Sequence, residues 1–234
     1  MKHKIIFLLL LLPLLLPAQS FRIYKGDTIN RTDAKGLKQG IWKRYYENDT
    51  LFTISFFKNG KPVDTTKTFY KNGKLQGVIV NSKTKKQSVA TLFHETGKIK
   101  ATGFYIDQKK DSVWKYYNEL DTLTAIESYK SGTKNGAWKV YYDNGLLAEE
   151  TVWVNGKRNG PFKQYFKDGK VKLDAVYKND SYEGVLKMYH TNGNLWFTGI
   201  FKNGNREGAW SYFNYEGVKD SVEYYTNGLL VPEK

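Results

Sequence analysis

The chain has 234 residues, 40% of them hydrophobic, and a formal net charge of +14. That length suits one domain or a short repeat array. The lack of any cysteine excludes disulfides and thiolate metal sites, and the basic balance favours anionic partners. Aromatic residues make up 16% of the chain, with 21 Gly and only 2 Met, a mixture that suits strands and tight turns better than helices.

The first 20 residues stand apart. Lys2 and Lys4 precede an apolar run from Ile5 to Leu16, broken only by Pro13, and Pro17-Ala18-Gln19-Ser20 follows. A basic start, an apolar run and small residues form the pattern of a secretory signal peptide over residues 1–20. The run is shorter than the ~20 residues that cross a bilayer. Cleavage is expected between Ala18 and Phe21, and the mature protein is expected to be exported, to the periplasm, the cell surface or the medium. Loss of Lys2 and Lys4 lowers the net charge to about +12. Residues 21–39 read as a lead-in.

Residues 40–231 repeat every 24 residues, without insertion. Copies start at Gly40, Asp64, Ser88, Ser112, Gly136, Gly160, Gly184 and Gly208, and positions are counted from these residues. The sixth position is aromatic in every copy: Tyr45, Phe69, Phe93, Tyr117, Tyr141, Tyr165, Tyr189 and Phe213. The third gives Trp42, Trp114, Trp138, Phe162, Leu186 and Trp210, and fails at Thr66 and Ala90. The tenth is Gly except at Asp49 and Asp121, and the twelfth is aliphatic except at Lys219. Residues 64–111 are the most degenerate stretch.

In the clearest copy, Ala137–Tyr142 is the predicted first strand, Asp143-Asn144-Gly145 the first turn and Leu146–Val154 the second strand. A second turn is predicted from Asn155-Gly156 to Asn159-Gly160. Asn-Gly between apolar runs signals a type I′ hairpin turn, whose two central residues need positive φ. Because 24 is even, each position keeps to one face of the sheet in all copies. The prediction is an all-β, elongated antiparallel β-meander of about eight stacked hairpins, with no helix beyond the leader and each repeat buried against the next. The sixth-position aromatics are expected to form the structural ladder.

The pattern Gly-x-Trp-x-x-Tyr-Tyr-x-x-Gly-x-Leu, carried by Gly136 to Leu147, resembles the MORN-repeat variant of the YwqK-family antitoxin proteins over about residues 36–228. The resemblance implies a MORN-like sheet that serves as an interaction surface for proteins or membranes. The antitoxin description implies inhibition of a partner protein.

The candidate binding residues form the fourth position: Lys43, Lys115, Lys139, Lys163 and Lys187, with Lys67 in the same column. They are expected as a line on one face, beside the sixth-position aromatics. Such a line suits an anionic polymer or membrane, and equally a solubilising face that discourages aggregation. His94 and His190 share one column with Tyr46, Tyr70, Tyr142 and Phe166. Four repeats apart, they cannot share a metal or a triad and read as polar aromatics. Glu127, Glu149, Glu150, Asp174 and Glu223 interleave with lysines, so surface pairing accounts for them without a glycosidase-like carboxylate pair. No catalytic residue, cofactor or metal is expected. The reading is a monomeric, non-catalytic binding or scaffold protein of the bacterial envelope, with a protein, acidic glycan or anionic membrane as partner and nucleic acid least natural. An antitoxin-like inhibitor comes second and a glycan-active enzyme third.

Overall fold

The computed structural model describes residues 19–82 and 87–233. The predicted signal peptide lies outside the described residues, except for its last two. Among the described residues there are 22 strands and no helix. Strands pair antiparallel in chain order, from Arg31–Thr32 on Lys38–Tyr45 to Leu229–Val231 on Lys219–Thr226. The predicted meander of hairpins is the fold.

The turns differ from one another, which the sequence reading missed. The turn at positions 20 and 21 is the expected two-residue type I′: Asn155 and Gly156 have φ of 50° and 84°, and Val154 pairs with Lys157. Chain beyond it is already strand, so no turn extends to Gly160; Lys157–Tyr165 is a 9-residue strand. Its register shifts between Thr151 and Trp153 on the partner strand, where Arg158 to Phe162 carries two extra residues; Gly160, at φ 123°, lies within this bulge. In the other turn only position ten has positive φ, Gly145 at 81°. Tyr142 N–H donates to the Leu146 carbonyl and Gly145 N–H to that of Tyr142. This is a wider loop built on a type I turn with one left-handed residue. Position nine therefore needs no positive φ, and its side chain is free to reach out. Asn48, Asn144 and Asn192 donate to the carbonyls of Lys71, Lys167 and Tyr215, each in the following repeat.

Register assigns the faces. Trp114 lies opposite Glu127 and Val113 opposite Ser128, so positions 3, 5, 16, 18 and 23 share one face and 2, 4, 15 and 17 the other. The core lies on the first of these, the aromatic face, as small separate clusters. One is Ala90, Ala101 and Trp114; another is Phe162, Leu173, Ala175, Tyr177 and Leu186. Position three supplies the most buried rings, with Trp114 and Trp210 at 0% and 1% exposure. The sixth-position aromatics are only half-buried, so the main ladder is the third position, not the sixth. The physical reason is register: position three sits mid-strand between two neighbours, whereas position six abuts the bulge and loop that end the strand.

Ring size at position three is matched by what lies beneath. A Cβ on Gly103 would stand 2.2 Å from the Trp114 ring, and one on Gly199 2.2 Å from that of Trp210. Phe162 faces Thr151, and Leu186 packs in one cluster with Ala175. In the degenerate copy, the small Ala90 packs with Trp114.

Residues 21–39 do more than lead in. Arg22–Tyr24 and Asp27–Ile29 form a hairpin that lies along the first long strand, with Ile29 1% exposed. Asn30 imitates a strand residue: its amide donates to the Lys43 carbonyl and its Oδ1 accepts from Lys43 N–H, at 3.0 and 2.8 Å. The edge of the array is thereby covered.

Candidate functional site

The lysine face contains one straight cross-strand row. It runs Lys43, Ile54, Lys67, Val78, Thr91, Thr102, Lys115, Ile126, Lys139, Glu150, Lys163, Asp174, Lys187, each residue opposite the next. All five candidate lysines and Lys67 lie in it, but their surroundings differ. In the second half, lysine alternates with acid. Lys139 approaches Glu150 at 3.9 Å and Lys163 approaches Asp174 at 3.3 Å. At the start, Lys43 pairs with Asp27 of the N-terminal hairpin at 3.1 Å. These three lysines are half-buried, whereas Lys67, Lys115 and Lys187 are exposed. Among the described residues, Lys67 and Lys115 face only aliphatic and threonine side chains in register. Tyr165 donates to Glu150 at 2.6 Å, which places this sixth-position ring on the lysine face as expected. Burial and then this carboxylate push the Tyr165 phenol up to about 12.

Beside this row runs the level of positions 2 and 17. In the first half it presents Ile41, Phe56, Val80, Val89 and Val113, each 43% to 48% exposed. Val80 and Val89 are direct cross-strand partners, as are Ile41 and Phe56. An apolar stripe therefore adjoins the unpaired lysines of the N-terminal half.

The aromatic face holds a second set of cations that the sequence reading passed over, at position 23. Lys38, Lys110, Lys134, Arg158 and Arg206 stand 4.0–4.6 Å from the ring centroids of Trp42, Trp114, Trp138, Tyr177 and Trp210 respectively. The signal was present as a second basic column, hidden because Pro62 and Tyr182 interrupt it. Each such contact contributes about 0.5–2 kcal/mol, more as it is desolvated. Two copies add a closed polar network. Lys110 donates to Tyr116 and Tyr129 donates to Glu127. Arg206 donates to Tyr212 and Tyr225, and both phenols donate to Glu223. Burial and then glutamate raise Tyr129 and Tyr212 to about 12. The phenol hydrogen bonds hold Glu223 below the usual carboxylate range.

The histidines are accounted for by the same periodicity. Tyr46, Tyr70 and Tyr142 donate their hydroxyls to the sixth-position carbonyl of the next repeat. His94 and His190 make the equivalent contact through Nε2, at 2.9 and 3.1 Å. Both therefore bind adjacent repeats together. Of the acids singled out in the sequence, Glu127 and Glu223 hold tyrosines, Glu150 and Asp174 face lysines, and Glu149 accepts from Gln164 at 3.0 Å.

The MORN repeat variant matches residues 38–59, 86–107, 134–155, 158–179 and 182–203, each span beginning at position 23, a cation in all but the last. No curated protein matches the chain. Among solved structures it is similar to TarM, with 20% identity over 45% of this chain and 20% of that one at a TM-score of 0.31. It is also similar to TcdB2-TccC3-Cdc42, with 12% identity over 80% of this chain and 14% of that one at a TM-score of 0.20. The chain spans a fifth or less of either structure, and both likenesses are too slight to bear on function. The five matched copies and the shared register make this chain a MORN-repeat protein of the variant type.

Proposed function

We propose that the protein is a non-catalytic binding or scaffold module of the cell envelope, whose contact surface is the N-terminal half of the lysine face. The observation that carries this reading is the apolar stripe Ile41, Phe56, Val80, Val89 and Val113, exposed next to Lys67 and Lys115. Scattered exposed aliphatics are ordinary, but a contiguous apolar patch rimmed by charge marks an interaction site. The partner it fits is anionic with an apolar component: an envelope protein, an acidic glycan or an anionic lipid surface. The basic, apolar leader supports export. Inhibition of a partner protein, as the YwqK resemblance implies, would use the same surface.

The internal ion pairs sharpen the test. Repeats are ~10 Å apart along the sheet, beyond the ~8 Å screening length at physiological salt, so several lysines must act together. Lys67→Gln with Lys115→Gln is expected to abolish capture of envelope components by the mature chain at low salt. Lys139→Gln with Lys163→Gln, which removes charges already neutralised by acids, is expected to leave capture intact. Equal capture by all three baits at low and high salt would assign the lysine face to solubility alone.

A further inference from the structure

The aromatic face carries a cleft that the lysine row does not explain. It lies in the copy starting at Gly136, has a volume of about 350 Å³, and is lined by Lys134, Trp138, Thr151, Trp153 and Arg158, together with two carboxylates that already have partners, Glu149 held by Gln164 and Asp180 held by Arg158. Its chemistry becomes clear from the equivalent positions elsewhere. In the copies starting at Ser112 and Gly208, position 5 is Tyr116 or Tyr212, position 16 is Glu127 or Glu223 and position 18 is Tyr129 or Tyr225, and position 23 of the copy before each supplies Lys110 or Arg206. There the cation meets phenol oxygens and the carboxylate accepts hydrogen bonds from the phenols. For the Gly136 copy the equivalent residues are Val140, Thr151 and Trp153, with Lys134 from the copy before it. The cation remains, 4.0 and 4.1 Å from the centroids of Trp138 and Trp153, but the carboxylate and both phenols are replaced.

Two polar atoms are orphaned by that replacement. Thr151 is 6% exposed, and its Oγ1 has no hydrogen-bond partner; nor has the buried Nε1 of Trp153. A buried polar group without a partner destabilises the fold until something pairs it. Among the described residues the Lys134 ammonium has no carboxylate within ion-pair distance, while Arg158 is already engaged by Asp180 and by the Tyr177 hydroxyl. The cleft thus gathers a hydroxyl, an indole N–H and an ammonium around two indole rings, where the neighbouring copies supply a carboxylate and hydroxyls from their own chain.

We propose that this cleft binds a carboxylate-bearing sugar of the uronic acid class. The carboxylate takes the place that Glu127 and Glu223 fill in the other copies and meets Lys134 and the Thr151 hydroxyl. A ring hydroxyl accepts from Trp153 Nε1–H. The C–H face of the pyranose lies on the indole surface, and the flexible Lys134 stem swings from above the rings to admit it. A pocket of this size, with an apolar floor and a few convergent polar groups, has the make-up of a small-ligand site. It lies on the face opposite the lysine row, so its test does not depend on that surface.

The test is titration calorimetry of the mature chain with galacturonate and glucuronate oligomers, using glucose oligomers, acetate and a poly-glutamate peptide as comparisons. Uronate oligomers are expected to bind, with glucose oligomers and acetate at least tenfold weaker. Thr151→Val, which keeps shape and removes the hydroxyl, is expected to weaken uronate binding about tenfold, and Thr151→Ser to retain it. Thr151→Glu recreates the internal carboxylate of the neighbouring copies; it is expected to abolish binding while raising the melting temperature. Equal binding of acetate or poly-glutamate, or no change with Thr151→Val and Thr151→Glu in chains shown folded by circular dichroism, would overturn the proposal.

Discussion

Gly199 and Trp210 provide the sharpest test of how the repeats hold one another. A methyl group added at Gly199 would stand 2.2 Å from the Trp210 ring, where carbon contacts are comfortable at about 3.5 Å or more. The ring must therefore retreat by about 1.3 Å, on a site that is 1% exposed. Gly199 has no positive φ, so alanine suits its backbone and the cost is one of packing alone, about 1–3 kcal/mol. Trp210→Leu alone removes buried ring surface and leaves space over Gly199, at about 2 kcal/mol or more. It loses no hydrogen bond, because Trp210 Nε1 has no partner. The double variant recreates the Ala175 and Leu186 packing found one repeat earlier. Its destabilisation is expected to fall short of the sum of the single effects by about 1–3 kcal/mol, within the range for touching side chains. Urea titrations followed by circular dichroism give all four midpoints. Strict additivity would show that position 16 does not set the size of position three, and would refute the size-matching reading of the core.

Three further outcomes follow from the same geometry. Tyr142→Phe removes a 2.6 Å bond to the Tyr165 carbonyl in the next repeat and is expected to cost about 0.5–1.5 kcal/mol, read as a lowered urea midpoint. Tyr129, Tyr165 and Tyr212 titrate near 12 in the folded chain and near 10 when unfolded. Their contribution is thus fully present below pH 10 and is lost as pH rises towards 12; melting temperatures across pH 8–12, with tyrosinate absorbance, would show it, and a flat profile would contradict it. Asn30→Ala deletes both side-chain bonds to the Lys43 backbone and is expected to expose the first edge strand. Increased aggregation on light scattering, with a lower melting temperature, is the predicted result.

Much of this protein follows from local chemistry. The 24-residue period, the alternation of apolar residues and the Asn-Gly pairs specify hairpins of even length, and an even period places each column on one face whatever the tertiary detail. The fourth-position lysines could thus be assigned to one line, and the histidines recognised as substitutes for tyrosine, before any coordinates. Only the folded sheet decided which residues meet across strands. The loop at Asn144-Gly145 closes with one positive φ rather than two, because hydrogen bonds around Tyr142 and Leu146 set the loop length, a non-neighbour effect invisible in the dipeptide. Register alternates Lys139, Glu150, Lys163 and Asp174, turning half of the basic row into a neutral one, although successive members are 11 or 13 residues apart in the chain. The same register lays Trp114 and Trp210 on glycines and leaves Thr151 and Trp153 without the hydrogen-bond partners their counterparts possess. A column in the sequence identifies a face; the neighbours that decide charge, burial and hydrogen-bond satisfaction come from the adjacent strand, and pairing alone brings them together.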